Sequence, residues 1–158
     1  ASRRQTRGGG PCRCRVSAPE LRRAEADRDV EACFPLMQQL RPHLADGTEL
    51  LARVRRQEAE GYRLLVAWRG DTAVGAAGYR FQENLIRGRF VYVDDLVVLD
   101  SERRSGIGAV LLDEVARVAK SAGYGWLTLD TALNNVLGQR FYFRWGLLST
   151  ALHFGKVL

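Results

Sequence analysis

Apolar side chains occupy both parities of the run FVYVDDLVV, residues 90–98, and only Asp94 and Asp95 break it. A strand that is apolar on both sides is covered on both sides, so this run predicts the central strand of a sheet. Further along, Ile107, Val110, Leu111, Val115 and Val118 recur at helical spacing opposite Asp113, Glu114, Arg117 and Lys120. Gly123 follows where a helix ends on a left-handed residue. Upstream, Val30, Cys33, Phe34, Met37 and Leu40 form a helical stripe that Asp27 would cap and that Pro35 should bend or split. Asp46 and Glu49 have the spacing of a capping box before a second helix reaching about Ala59, with Leu50, Leu51 and Val54 inward and Arg53, Arg55 and Arg56 outward. Residues 19–23, 62–68, 72–81, 126–129 and 148–154 read as further strands, and 135–145 as the last helix. A tight turn at Arg69, Gly70 and Asp71 joins two of the strands, and a looser one from Asn84 to Gly88 feeds the central strand. The expected order is β-α-α-β-β-β-α-β-α-β.

Between the central strand and the next helix stands LDSERRSGIG. A helix N-terminus presents free backbone N–H groups and the positive end of the helix dipole. Glycines there let a phosphate approach the backbone with no Cβ in the way. Arg103, Arg104, Ser105, Gly106, Ile107 and Gly108 therefore make an anion loop. The third glycine of a dinucleotide fingerprint is missing, because Leu111 stands in its place, and no Gly-Lys-Ser/Thr follows as a P-loop requires. Burying an unpaired carboxylate is expensive, so Asp94 and Asp95 inside an apolar strand imply that the sheet opens there or that a cationic group visits. An edge position or a loop salt bridge is the alternative.

A chain of 158 residues suffices for one domain without disulfides, and 46% hydrophobic with 27% charged residues is an ordinary globular balance. No apolar run approaches the roughly 20 residues of a membrane span, and the first residues lack the apolar core of a signal peptide. The net charge of +6 is concentrated in residues 1–18, where Arg3, Arg4, Arg7, Arg13 and Arg15 meet no acid. Those residues, centred on Gly8-Gly9-Gly10-Pro11, read as a flexible basic tail, and 19–158 as a single, nearly neutral domain. A specific nucleic-acid surface is therefore not expected. Cys12, Cys14 and Cys33 form no disulfide framework or zinc knuckle, and with two histidines, His43 and His153, no metal site is expected. The cytoplasm is the default compartment.

The spacing Arg-x-x-Gly-x-Gly at 103–108, behind Leu96-x-Val98, resembles the acetyl-CoA motif of the GCN5-related N-acetyltransferases, the GNAT family. Asn135, Gly138, Phe141, Tyr142 and Gly146 resemble that family's later motif, with Gly138 where the family has Ala and Leu147 where it has Phe. The resemblance covers about residues 20–154. It implies a mixed α/β fold with a mostly antiparallel central sheet and helices on both faces. It also implies acetyl-CoA as co-substrate, a small-molecule primary amine as acceptor, and it allows a homodimer.

By this resemblance Leu96, Val97 and Val98 present backbone groups to the pantetheine arm, with the Val98 N–H directed at the thioester carbonyl. The stretch from Arg104 to Ala109 cradles the pyrophosphate, Arg104 standing where the family usually has Gly, and Thr128 and Asn135 complete the cofactor site. Tyr142 is the implied general acid for the departing thiolate; its alternative is a ring packed between helix and sheet. The segment Tyr92-Val93-Asp94-Asp95-Leu96 is similar to the diamine (spermidine/spermine) branch, which has Glu-Asp at the two acidic positions. Asp94 is then the general base, direct or through water, and Asp95 orients the amine. Alternation sends neighbouring side chains to opposite faces, so both acids share a pocket only where the strand bulges or splays. A protein lysine or N-terminal acetyltransferase, and a non-catalytic acyl-CoA sensor, are the other readings.

Overall fold

The structure is a computed structural model that describes residues 18–158. The tail expected at 1–18, apart from Ala18, lies outside the described residues together with Cys12 and Cys14. The elements are β1 (Glu20–Arg23), α1 (Asp27–Ala32), α2 (Phe34–Leu40), α3 (Gly47–Glu58), β2 (Tyr62–Arg69), β3 (Thr72–Asn84), β4 (Gly88–Val98), α4 (Ile107–Ser121), β5 (Trp126–Leu129) and α5 (Val136–Trp145). The five strands lie side by side in chain order, antiparallel except for the parallel pair β4–β5.

The sheet separates two cores. On one face Val30, Cys33, Leu36, Met37, Leu50 and Val54 from α1–α3 pack on Leu64, Val66, Trp68 and Val97. On the other, Ile107, Leu111, Leu112, Val115 and Ala119 of α4 pack on Leu65, Ala67, Tyr79, Val91 and Val93, with Phe141, Tyr142 and Trp145 of α5 at the margin. Burying a Leu or Val side chain contributes roughly 1.5–3 kcal/mol, so these two layers supply most of the drive to fold.

Local chemistry explains most boundaries. Pro35 falls in the first turn of α2, where its missing N–H costs nothing, and the expected single helix is split at Cys33. Asp46 caps α3 by accepting from the Glu49 N–H at 2.8 Å, while Glu49 Oε2 reaches back to the Ala45 N–H at 2.8 Å. Gly123, at φ +79°, follows the end of α4, and Tyr124 N–H closes onto the Ala119 carbonyl. Cys33 is buried, donates to the Asp29 carbonyl, and has its thiol pushed up to about 12 by burial, which keeps it an inert core residue.

Three expectations need correction. Asp27 does not cap α1: Ala26 holds that position, and Asp27 pairs across to Arg55. The buried stripe of α4 is rotated, with Leu112 and Ala119 inside and Val110 exposed, because the helix lies flat on the sheet and presents a broad face to it. The closing strand at 148–154 does not form. Leu148, Leu152 and Phe154 are exposed, with no helix or sheet face on which an apolar parity could be buried. That segment is instead held by Arg87 Nη2, which donates to Thr150 Oγ1, and by His153 Nδ1, 2.9 Å from Asp130 Oδ2.

Candidate active site

The decisive local feature is a bulge in β4. Gly78 stands opposite Asp95 and Tyr79 opposite Val93, so Asp94 is an extra residue with no partner on β3. One inserted residue reverses the parity of everything after it. Val91 and Val93 face the α4 core, whereas Val97, of the same parity in the sequence, faces the α1–α3 core. Tyr92, Asp94 and Asp95 consequently line one hollow of about 400 Å³, closed by Met37, Arg41, His43, Leu44, Leu50, Arg53, Val54, Gln57 and Tyr62. The two acids thus share a pocket by a bulge, one of the two devices that permit it.

Their electrostatic settings differ. Asp95 carries three hydrogen bonds: Arg41 Nε and Nη2 donate to Oδ1 at 3.0 and 2.7 Å, and the Tyr62 hydroxyl donates to Oδ2 at 2.9 Å. The carboxyl of Asp94 carries one, from Arg80 Nε to Oδ2 at 2.9 Å, and its Oδ1 has no partner among the described residues. Burial pushes the Asp94 carboxyl above its ordinary value, and the bond from Arg80 only partly offsets this. Burial and the neighbouring Asp95 hold the Tyr62 phenol well above its usual value, so it stays a donor. Gly78 makes that donor's place: a Cβ there would overlap the Tyr62 hydroxyl.

Arg41, Tyr62 and Arg80 were not foreseen as site residues. A glycine inside a strand does signal a close approach, and Gly78 was that signal for Tyr62. Arg41 meets Asp95 from 54 residues away, and nothing local announces it.

On its other edge β4 leaves β5. Their pairing stops at Val93 with Leu129, so residues 94–98 have no β5 partner. The Leu99 N–H donates to the Val74 carbonyl on β3, so by strand alternation the Leu96 and Val98 N–H groups point into the gap. A 3₁₀ turn at Asp100–Glu102 leads from this gap to the start of α4. Gly106 caps α4 at φ +90°, and Arg104 holds φ +64°, the one non-glycine residue at positive φ among those described. Arg104 therefore keeps a conformation that glycine adopts freely, which explains how the loop survives with Arg where the family motif has Gly. Ile107, Gly108 and Ala109 open the helix, so their N–H groups have no intrahelical acceptor. Arg103 pairs with Asp100 at 2.7 Å, and Ser105 is exposed.

Asn135 and Thr128, the other two expected cofactor residues, each have a place in the fold. Asn135 caps α5: its Oδ1 accepts from the Gly138 N–H at 3.1 Å and its Nδ2 donates to Thr131 Oγ1 at 2.9 Å. Thr128 pairs with Tyr92 across β4 and β5. Tyr92 in turn donates to Asp130 Oδ2 at 2.8 Å, and burial with that bond pushes its phenol up to about 12. Tyr142 is half-buried on α5; burial raises its phenol, and its hydroxyl donates to no group among the described residues.

The sequence profile described as the acetyltransferase (GNAT) family matches residues 26–147, from the start of α1 to just past α5. The chain belongs to the GNAT family. An uncharacterized N-acetyltransferase of Bacillus subtilis (strain 168), YhdJ, is 28% identical over 109 residues, which is 69% of this chain and 77% of that protein. Among solved structures, the aminoglycoside N-acetyltransferase AAC(6')-Iy in complex with CoA shares the fold with a TM-score of 0.77 at 20% identity, covering 91% of this chain and 97% of the other. A ribosomal-protein-alanine N-acetyltransferase from Brucella melitensis biovar Abortus 2308 does so with a TM-score of 0.74 at 19% identity, covering 90% and 100%. This GNAT protein is an N-acetyltransferase, with acetyl-CoA as its co-substrate.

The residues present fit that co-substrate. The open edge of β4 offers amide groups for an extended pantetheine, and the α4 N-terminus offers N–H donors beside glycine for a pyrophosphate. Among the described residues, no group of three or more His, Cys, Asp or Glu could hold a metal ion, and no helix is long and apolar enough to cross a membrane.

Proposed function

We propose that this GNAT enzyme acetylates a primary amine on a small molecule, with Asp94 as general base and Tyr142 as general acid. The observation that carries this reading is the bulge at Asp94. It puts a carboxylate with a free oxygen into the pocket at the level where β4 separates from β5.

Acetyl-CoA supplies a thioester whose acetyl carbon accepts the amine nitrogen and whose sulfur leaves. The Val98 N–H donates to the carbonyl oxygen as negative charge grows on it. Asp94 Oδ1 takes the proton that the amine sheds, directly or through one water, and its raised pKa makes it a better base than an exposed aspartate. The Tyr142 hydroxyl gives its proton to the leaving sulfur and recovers one from solvent. Raised above its usual value, that phenol gives the proton up less readily than a free tyrosine, but its hydroxyl is free to turn toward the sulfur. Leu96 and Val97 line the arm, and Arg103 to Ala109 hold the pyrophosphate end. Asn135, which also fixes the start of α5, and Thr128, on β5 opposite Tyr92, complete the cofactor site.

A pocket of about 400 Å³ suits a compact acceptor better than a peptide segment. The enzyme acts in the cytoplasm in this reading, and residues 1–18 take no part in transfer. Exposed Val136, Leu137 and Phe143 on α5 favour a homodimer, and sedimentation as a monomer at assay concentration argues against one. The direct test is coenzyme A release from acetyl-CoA with a panel of primary amines. Release that depends on Tyr142 and Asp94 supports the assignment, and tight acetyl-CoA binding with no release from any amine or peptide leaves the sensor reading in its place.

A further inference from the structure

The charges around the pocket point to a feature of the acceptor that the transfer reaction itself does not require. Each aspartate on its floor already faces an arginine: Arg41 on Asp95 and Arg80 on Asp94. Arg80 also donates to Gln57 Oε1 at 3.0 Å and pairs through Nη1 with Glu60 at 3.6 Å, so all three of its nitrogens are engaged. The floor therefore holds no surplus negative charge for a second ammonium group.

The mouth, by contrast, carries guanidinium groups with N–H donors to spare. Arg41 and Arg53 line the pocket with exposed side chains, and each uses only Nε and Nη2 in its carboxylate contacts, Arg41 with Asp95 and Arg53 with Glu49 Oε1. Nη1 of both guanidinium groups has no acceptor among the described residues. The exposed His43 ring, on the same wall, also has none. These free donors come from the α2–α3 loop and from α3, and Asp46 pins the start of that helix. A guanidinium held on one edge by a carboxylate keeps its orientation and offers its remaining N–H groups to a second anion.

Resting on the transfer reading above, we infer that the acceptor is an amine that also carries an anionic group, a carboxylate or a phosphate. The amine sits at Asp94 and the anion at the Arg41, His43 and Arg53 wall. A diamine would bring its second ammonium to that wall, where it meets N–H donors and only carboxylates already held by arginine. Asp95 is then a positioning residue: it holds Arg41 at the mouth.

The test compares matched amines by coenzyme A release and, in parallel, by calorimetric binding to the CoA-loaded protein. The amines are pentylamine, diaminopentane and the ω-amino acid aminopentanoate; aminoethyl phosphate against ethanolamine separates phosphate from carboxylate. The expected result is a kcat/KM about tenfold or more higher for an anionic amine than for its neutral congener, with the diamine lowest. The preference should shrink as salt rises, because the wall is exposed. Arg53→Gln combined with His43→Gln should raise KM for the anionic amine, keep its kcat, and reduce the ratio to pentylamine. Release without preference for anionic amines, or with the diamine favoured, overturns this inference and leaves the transfer reading standing. Selective binding of anionic amines with no release does the reverse, and neither binding nor release overturns both.

Discussion

The two sides of β4 are built from different materials. Toward β5 and α4 the site consists of backbone: the unpaired edge of residues 94–98, the amides that open α4, and a loop whose shape depends on positive φ at Arg104 and Gly106. Toward α2 and α3 it consists of side chains: Asp94, Asp95, Tyr62, Arg41 and Arg80, brought together from four separate parts of the chain. In the proposed reading, backbone amides bind the common phosphate and pantetheine whatever the local side chains are. Side chains can be exchanged singly, so on the same reading that face could change acceptor without disturbing the cofactor. The bulge at Asp94 serves both faces, since the same extra residue turns the acids into the pocket where the other edge has lost its partner strand.

That division can be broken by substitution. The largest expected effect is on chemistry alone. Tyr142→Phe keeps the ring in its packing but removes the proton, and turnover should fall by roughly 10²- to 10⁴-fold with acetyl-CoA affinity nearly unchanged. Wild-type turnover on a verified substrate would mean that the sulfur leaves unprotonated or draws its proton from water.

Asp94→Asn should lower turnover by about 10²-fold near neutrality, the low end of what a lost general base costs, and should recover partly as higher pH supplies neutral amine. The sign of the pH dependence follows from burial. The carboxyl is held above its ordinary value, so the base is lost as pH falls through a midpoint above the usual aspartate range. The wild-type acid limb should lie there, and Asp94→Asn should flatten it. If Asp95→Asn flattens the limb and Asp94→Asn does not, the two acids have exchanged roles.

Gly78→Ala sharpens the comparison most, because it strikes the acceptor face from behind. The new methyl would overlap the Tyr62 hydroxyl, so the tyrosine must move and release Asp95. A loss of about 1–3 kcal/mol in stability is typical of such overpacking, and KM for the amine should rise while the acetyl-CoA Kd holds. Equal losses on both ligands, by urea melts and calorimetry, would show that the two faces are one cooperative unit. Tyr62→Phe removes the same hydrogen bond without the clash and should cost about 1.5–3 kcal/mol at most, since the acceptor is charged and Arg41 remains to hold it.

The smallest effect belongs to the cofactor face. Arg104→Gly relieves a left-handed residue that costs about 1–2 kcal/mol for an L side chain, less the added backbone freedom of glycine in the unfolded chain. Stability should rise by about 1 kcal/mol or less, with acetyl-CoA affinity little changed. A large loss of affinity would show that the Arg104 side chain itself holds phosphate.

What was legible from residue order follows the same division. The anion loop, the break at Pro35, the cap at Asp46 and the end of α4 at Gly123 were readable because each is set by the conformational chemistry of a few consecutive residues. That β4 is covered on both faces was readable because such burial writes itself into both parities of a strand, whereas the mixed sheet was implied by the family resemblance. The rest needed the folded chain. The bulge was foreseen only as a condition, because whether β3 skips Asp94 depends on how Gly78 and Tyr62 seat against it. The closing strand failed because alternation alone does not supply a surface to bury against. Arg41 and Arg80 were invisible, being 54 and 14 residues from the acids they hold. Residue order by itself determined most of the elements and the glycine-bearing turn before α4, since both rest on local backbone preference and on which positions are apolar. The acceptor face was decided only by tertiary structure, because its charges acquire meaning through the partners that folding brings to them.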